Sequence, residues 1–362
     1  MQLTTKVKLK PTDEQRKLLL ETMELYNRAC NRICEIAFNA NTKKQFEIHH
    51  LCYKTIREEF PSLSSQMVVR AIAKVAGQLK REFTKHTFKP YGAIQYDSRT
   101  FSFKAVDEVS LWCVGGRQRI KMIMTGYQKK TAYESKKQAN LLFVDNQFYL
   151  LVVIDTDEEE PIITDKVIGV DFGIVEIATL SDGTTFSGAI VESVRKKYSK
   201  LRASLQKRGT KSAKRKLKKI SKKESRFRRD LNHQISKKIV TKAKGTNSNI
   251  SIENLKGIRS SITVKKSQRA KHHSWSFSQL REFIKYKAKL NGVTVFVVNP
   301  QYTSQTCRKC GNISRSNRKS QSIFKCTVCG FTDNADVNAS FNIASRAVRE
   351  ISKINQPIVT SA

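Results

Sequence analysis

Four of the eight cysteines in this 362-residue chain form two short pairs near the carboxyl end. The pairs are Cys307-x2-Cys310 and Cys326-x2-Cys329, with fifteen residues between them. This spacing is typical of a zinc ribbon, in which four thiolates surround Zn²⁺ tetrahedrally. A glycine follows each pair, where a tight turn needs a positive φ angle; these are Gly311 and Gly330. The pattern predicts structural zinc, and two disulfides or four free thiols are the alternatives.

Three acidic residues, far apart in the chain, form the second candidate group. Asp171 ends the apolar segment VIGVD, Glu253 ends ISIE, and Asp336 begins a predicted helix that runs to Ile351. Active groups in open α/β sheets gather at the carboxyl ends of strands, so we expect the three carboxylates to converge. Carboxylate oxygens select Mg²⁺ or Mn²⁺, and two such ions about 4 Å apart can promote hydrolysis of a phosphodiester.

Each acid also has an ordinary structural interpretation. Asp171 could end a strand in a turn, Glu253 and Asn254 could be polar strand-end residues, and Asp336 could cap its helix with Asn338 nearby. Their joint occurrence at matching positions of one topology favours the metal site.

The elements that would position these groups follow residue 165. Their predicted order is strand, hairpin, long helical region, strand, helix, strand, inserted ribbon and helix, which is the order of an RNase H-like α/β fold. In that order the strands that end in Asp171 and Glu253 would be adjacent and parallel, and their buried, apolar character suits such a sheet. Before residue 165, a strand at 2–10 precedes a helix that Thr12 would cap and two further helices in 46–85, the second of which begins at Ser64. The short alternating runs FSFKAV, VSLWCV, RIKMIM, ANLLFV and QFYLLVVI follow, with turns at Gly115-Gly116 and Asp145-Asn146, and they indicate a small antiparallel sheet or barrel.

The charge of the chain indicates a polyanionic partner. Lys+Arg is 68 and Asp+Glu is 31, a formal net charge of +37. Nucleic acid is the first candidate and an anionic membrane surface the second. Residues 191–240 hold twenty Lys/Arg against three acids, which predicts a phosphate-facing arm rather than a merely solvated helical hairpin. No apolar run approaches the ~20 residues of a membrane span, and the N-terminus lacks a secretory pattern.

The motifs around these residues resemble those of one family. VIGVDFGIVEIATLSDG, ISIENLKGI, PQYTSQTCRKCG, NRKSQSIF and FKCTVCGFTDNADVNASFNIA are similar to segments of TnpB (OrfB-type) proteins, transposon-encoded RNA-guided DNA endonucleases related to type V CRISPR effectors. The resemblance covers residues 166–344 densely. It implies a β-barrel domain at 1–160 with a helical recognition insert at about 12–86. A RuvC nuclease would follow at 161–300 with a basic arm at 191–246, then a zinc ribbon at 301–332, the RuvC C-terminal helix at 333–351 and a tail at 352–362.

The resemblance also implies roles and partners. Asp171, Glu253 and Asp336 would be the catalytic acids that hold Mg²⁺ or Mn²⁺, and Arg318 would contact the scissile strand. The partners would be a guide RNA from the transposon end and double-stranded target DNA that carries a short flanking motif. We expect a cytoplasmic, nucleoid-associated prokaryotic protein that does not enter membranes; its oligomeric state stays open.

Three other functions fit parts of the sequence. They are a cleavage-silent RNA-guided repressor, a transposase acting directly on element ends, and a guide-free junction resolvase. The intact acids disfavour the first, and the second lacks a tyrosine or serine recombinase signature. The N-terminal half is superfluous to the third.

Glu176 departs from the family pattern, and would either face the surface or perturb the site. Packing or phosphate contact is the favoured role of His233; the basic-loop pair His272–His273 and the helical pair Cys30 and Cys34 are not expected to bind metal.

Overall fold

A computed structural model gives the fold of residues 1–126, 128, 138–254 and 277–354. It divides the chain into two compact units, Met1–Thr156 and Asp157–Ala362. The division falls within the acidic segment 155–161, a few residues before the predicted boundary after residue 160. The predicted basic loop at 258–272, with His272–His273, lies outside the described residues, and so does the tail beyond residue 354.

The first unit begins with strand β1 (Gln2–Lys10) and three helices, α1 (Asp13–Asn39), α2 (Gln45–Glu59) and α3 (Ser65–Arg81). The predicted cap at Thr12 is confirmed, because Thr12 and Gln15 form a capping box. The third helix begins one residue after its predicted start at Ser64, whose side chain accepts a bond from the N–H of Met67. Cys30 and Cys34 are buried on α1, and burial raises the pKa of the Cys30 thiol to about 12. These helices occupy the interval predicted as the recognition insert.

A seven-stranded antiparallel sheet completes this unit, in the order β2-β6-β7-β1-β5-β4-β3. Its remaining strands are β2 (Ile94–Asp97), β3 (Phe101–Ala105), β4 (Glu108–Cys113), β5 (Gly116–Ile123), β6 (Gln138–Val144) and β7 (Gln147–Asp155). The predicted turns are present: both central residues have positive φ angles, 84° and 115° at Gly115-Gly116 and 53° and 62° at Asp145-Asn146. Such turns match the twist of the strands they join. Strand β2 is not among the predicted runs.

The second unit contains a five-stranded mixed sheet in the order β10-β9-β8-β11-β12. Its strands are β8 (Val167–Asp171), β9 (Glu176–Leu180), β10 (Thr185–Ser187), β11 (Asn249–Glu253) and β12 (Val295–Val298). β11 is parallel to both β8 and β12, whereas β8–β9 and β9–β10 are antiparallel. The predicted parallel pairing of the strands that end in Asp171 and Glu253 is therefore correct. Each residue of β11 is buried, which fits a central strand covered on both faces.

The helices of the second unit are α4 (Ala189–Arg208), α5 (Lys211–Gly245), α6 (Phe277–Leu290) and α7 (Ala335–Ile354). The predicted basic region is thus two helices, which separate at Gly209, with φ of 64°, and Thr210, whose side chain caps α5. Before α7 lies a small module with a 3-10 turn (Arg315–Asn317) and the antiparallel strands β13 (Ile323–Lys325) and β14 (Thr332–Asn334). Within the described ranges, no helix has the length and apolar character needed to cross a membrane.

Candidate functional site

The predicted acids Asp171 and Glu253 end neighbouring parallel strands. The strands pair in the register Ser251↔Gly169 and Ile252↔Val170, so the two acids follow at the same edge of the sheet. The pKa of Asp171 is raised to about 8, chiefly by burial and then by the negative charges of Glu253 and Asp336. Burial also raises the pKa of Glu253, which is 8% exposed. Glu253 and Asp336 therefore lie close enough to Asp171 to raise its pKa.

Helix α7 brings Asp336 to this edge because it packs unusually close to β8. A Cβ atom added to Gly169 would lie 1.9 Å from the Ser340 carbonyl oxygen and 2.7 Å from the Ala344 nitrogen. The Ser251 hydroxyl also donates to the Ile343 carbonyl of α7 at 3.0 Å. Only glycine at position 169 allows this approach, so the sheet itself sets the position of the helix that carries the third acid.

Asp336 does not cap its helix, so that alternative is wrong. The Asn334 side chain is the cap, because its Oδ1 accepts from the backbone N–H groups of Asp336 (2.9 Å) and Val337 (3.2 Å). The Asp336 carboxylate instead accepts a bond from Arg318 Nη2 at 3.0 Å. Arg318, the fourth predicted residue, also lowers the pKa of Asp171. The structure therefore brings all four predicted site residues together.

Arg318 is fixed by the module that contains the cysteines. Its Nη2 donates to the Gln321 carbonyl at 2.8 Å, and its neighbour Asn317 is fully buried. The Asn317 amide donates to the Gln305 carbonyl (3.0 Å) and accepts from the N–H of Thr327 (2.9 Å). These bonds tie both halves of the module beside Arg318, so the module directly supplies a cation to the acid cluster.

Sequence reasoning missed two further groups at Glu253. Thr303 donates its hydroxyl to Glu253 Oε1, and the positive charge of Arg346 lowers the pKa of Glu253. Thr303 lies in the turn after β12, fifty positions from Glu253. Thr303 lies in the segment PQYTSQTC, which the resemblance to TnpB proteins had already singled out, so the sequence carried a signal for this residue. Local residue spacing alone does not predict that Thr303 contacts Glu253.

The carboxylates suit a hard cation, and their spacing limits how it binds. Among the described residues, the four cysteines form the group whose ligand atoms all lie within 4.8 Å, so the three carboxylates are spaced more widely. Three acids near one another in a buried setting need positive charge, and Arg318 provides part of it. Carboxylate oxygens are ligands that Mg²⁺ and Mn²⁺ prefer, so these residues could hold such ions.

The four cysteines have the geometry of a zinc site. Cys307 Sγ lies 3.7 Å from Cys329 Sγ, and Cys310 Sγ lies 3.6 Å from Cys326 Sγ. Four sulfurs about 2.3 Å from one Zn²⁺ would be separated by about 3.8 Å, whereas a disulfide bond is about 2.05 Å. The two-disulfide alternative is therefore wrong. The predicted positive φ angles are confirmed at Gly311 (76°) and Gly330 (71°).

The other singled-out residues have structural roles. Glu176 is half-buried, and its Oε2 atom is buried without a hydrogen-bond partner among the described residues, so this oxygen does not face the surface. It does not appear among the charges that shift the pKa of Asp171. His233 of α5 stacks on Phe283 of α6 with ring centroids 3.8 Å apart, so it packs between helices as one of its two predicted roles required.

The α4–α5 pair presents a strongly basic surface. Glu224 is 7% exposed and bonds to Arg202 at 2.6 Å, so its charge is already paired. Apart from Glu224, helix α5 exposes a dense set of cationic side chains: Lys211, Lys214, Arg215, Lys216, Lys218, Lys219, Lys222, Lys223, Arg226 and Arg229. A surface of one sign with this density attracts a phosphate backbone.

A second basic surface lies on the outer face of the first unit's sheet. Alternate residues of β1 and β5 point outward and supply Lys6, Lys8, Lys10, Arg117, Arg119 and Lys121. Lys10 and Lys121 are directly opposed, an arrangement that is unfavourable without an anionic partner. Aromatic rings border these cations: Trp112 is opposite Arg117, and Lys6 Nζ lies 3.8 Å from the Tyr149 ring centroid. Cations beside aromatic rings suit nucleic acid.

Comparison with known proteins agrees with this arrangement. Residues 150–259 match a family model described as a probable transposase, and residues 277–343 match one described as a Cas12f1-like TNB domain. The chain is 31% identical over 220 residues to the putative RNA-guided DNA endonuclease InsQ of Escherichia coli K12, covering 54% of this chain and 53% of InsQ. It is 36% identical over 132 residues to the TnpB-like protein MJ0751 of Methanocaldococcus jannaschii, covering 36% of this chain and 47% of MJ0751.

The fold is shared with a solved type V effector. The Cas12f1 chain of an sgRNA–target DNA complex aligns with a TM-score of 0.63 and 16% identity, over 92% of this chain and 83% of that one. The shared fold and the matched TNB-domain model together make the chain similar to the compact type V effectors. The chain is similar to members of the TnpB (OrfB-type) family, which is the resemblance that its motifs predicted. It spans about half the length of the curated relatives it matches.

Proposed function

We propose that this protein is an RNA-guided, Mg²⁺-dependent DNA endonuclease encoded by a transposon. The observation that carries the proposal is the convergence of Asp171, Glu253 and Asp336 at one sheet edge, with Arg318 on Asp336. The strand order β10-β9-β8-β11-β12 supports an RNase H-like (RuvC) nuclease fold with the cysteine module inserted before its last helix.

The three carboxylates would hold two Mg²⁺ or Mn²⁺ ions. Such ions supply an activated water and stabilise the leaving oxygen of a phosphodiester. Asp171 and Glu253 provide ligands from rigid strand ends, and Asp336 provides one from the first turn of α7. Arg318 pairs with Asp336 at 3.0 Å. Once bound cations neutralise the acids, Arg318 would be free to contact the phosphate of the scissile strand.

The two basic surfaces supply the nucleic-acid partners of this proposal. The outer sheet face of the first unit, with its cations and flanking Trp112 and Tyr149, suits a guide RNA that has both phosphates and unpaired bases. The cations of α5 suit the backbone of a guide–target duplex. Base pairing would then select the target, while the protein reads a short flanking motif. The four cysteines would hold Zn²⁺, which keeps the Arg318 loop folded.

Purification with bound nucleic acid, followed by sequencing, tests the guided function. A discrete RNA that ends at the boundary of the element is expected. The complex reconstituted with that RNA should cut matched DNA in Mg²⁺, and Asp171→Ala should abolish cutting while RNA and DNA binding persist. Only heterogeneous nucleic acid would favour the transposase or resolvase functions. Specific binding without cutting by the wild-type protein would favour an RNA-guided repressor.

A further inference from the structure

One side chain connects Glu253 to the turn that leads into the cysteine module. The hydroxyl of Thr303 donates to Glu253 Oε1, and the two residues are 3% and 8% exposed. The same hydroxyl lies 3.0 Å from the Pro300 carbonyl, within its own turn. Thr303 is the hydrogen-bond donor that the described chain provides to this carboxylate, so it restricts the rotation of the Glu253 side chain.

Helix α7 in turn holds Thr303 through side chains spaced four residues apart. Asn342 Nδ2 donates to the carbonyl oxygens of Thr303 (2.9 Å) and Thr306 (2.7 Å). One turn earlier, Asn338 Nδ2 donates to the Thr306 carbonyl at 2.8 Å, and its Oδ1 accepts from the N–H of Arg308 at 3.1 Å. Asn338 is fully buried and Asn342 is 8% exposed.

Arg346 extends the same stripe by one more turn. Its guanidinium donates to the carbonyl oxygens of Asn299 and Gln301, on the amino-terminal side of Thr303. The segment 299–308 is therefore attached to α7 on both sides of the residue that contacts Glu253. The bonds from Asn338 and Asn342 are buried or part-buried, whereas those from Arg346 are exposed. Buried, directional bonds from side chains to carbonyls fix a loop more strongly than exposed pairs do.

We propose that Thr303 is a positioning residue for Glu253, and that Asn342 and Arg346 hold Thr303 in register with the acid. Helix α7 thereby sets all three acids: it carries Asp336, contacts β8 at Gly169, and reaches Glu253 through Thr303. The inference rests on the proposed function for its significance, but the contact can be tested on metal binding alone.

The decisive experiment compares variants of the zinc-loaded full chain for Mn²⁺ binding, measured by the loss of the free-Mn²⁺ electron paramagnetic resonance signal. Thr303→Val keeps the size of the side chain and removes the hydroxyl, whereas Thr303→Ser keeps the hydroxyl. Thr306→Val is the matched control: Thr306 is in the same turn, and its hydroxyl donates to the Tyr302 carbonyl at 2.8 Å, with no bond to Glu253 among the described residues.

Thr303→Val should weaken Mn²⁺ binding by about tenfold, the order expected for loss of one hydrogen bond to a charged group. Thr303→Ser should restore binding, and Thr306→Val should bind like wild type. In cleavage assays, Thr303→Val should raise the Mg²⁺ concentration for half-maximal rate by a similar factor, without weakening DNA binding. If Thr303→Val does not fold, Thr303→Ala applies the same test with less bulk at the site.

A second measurement tests the connection to α7. Asn342→Ala should weaken Mn²⁺ binding in the same direction, and Thr303→Val with Asn342→Ala should be little worse than the stronger single change, because both act on one contact. Equal Mn²⁺ binding by Thr303→Val and wild type, or equal weakening by Thr306→Val, would overturn the inference. If Mn²⁺ binding shifts as expected but wild-type protein cuts no DNA, the proposed function fails and the positioning role stands.

Discussion

Replacement of Gly169 by alanine should separate helix α7 from the sheet. The added methyl carbon would lie 1.9 Å from the Ser340 carbonyl oxygen, and real contacts of this kind essentially never fall below 3.0 Å. The obstruction is backbone, so no rotamer change can relieve it. The helix must retreat by roughly 1 Å, a movement that also stretches the 3.0 Å bond from Ser251 to the Ile343 carbonyl.

Two effects of different size are expected from Gly169→Ala. Overpacking of this kind costs about 1–3 kcal/mol of unfolding free energy. Because α7 carries Asp336, a displacement of about 1 Å should also lower the cleavage rate by roughly 100-fold. The loss of activity should therefore exceed what the loss of folded protein explains at a temperature well below the unfolding midpoint.

Thermal unfolding and cleavage of matched DNA measure the two effects on the same preparations. Gly77→Ala is the control: Gly77 lies within α3, and a Cβ there meets nothing within 4 Å. That change should raise stability by about 0.5–1 kcal/mol and leave cleavage unchanged. If Gly169→Ala unfolds and cuts like wild type, α7 does not pack on β8 as described, and the account of how Asp336 is positioned is wrong.

Three further outcomes are expected. The Cys307→Ser variant should contain no zinc by metal analysis and should unfold at a lower temperature than wild type. Zinc-free wild-type protein would refute this. As the control, the Cys113→Ser variant, which changes a buried cysteine outside the cluster, should retain the zinc of the protein. The Asp171 carboxyl, with a pKa of about 8 without metal, holds its proton at pH 7. Mg²⁺ binding should then release protons at pH 7 and tighten as pH rises toward 8, which calorimetry in buffers of different ionisation enthalpy can detect; no buffer dependence would contradict it. Nucleic-acid binding should weaken steeply as the salt concentration rises. Replacing Lys214, Lys218 and Lys222 by glutamine should reduce the slope of the logarithm of the binding constant against the logarithm of salt concentration. An unchanged slope would exclude α5 as a phosphate contact.

The sequence by itself determined the features that depend on local pattern. Two cysteine pairs with fixed short spacing predict thiolate positions, because each pair forms its own turn, and the glycines after them confirm it with φ angles of 76° and 71°. The buried apolar runs before Asp171 and Glu253 predict parallel neighbours, since such strands need cover on both faces. Thr12 is a predicted cap that acts within one helical turn.

The tertiary structure decided which side chains meet across long sequence separations. Asn334 rather than Asp336 caps α7, which leaves the acid for Arg318, eighteen positions away. Thr303 reaches Glu253 across fifty positions, and its turn is bonded to Asn342 of α7. Residue periodicity reports which face of an element is buried, but not which atom of another element it touches. That choice depends on packing, and here it depends on the absence of a side chain at Gly169.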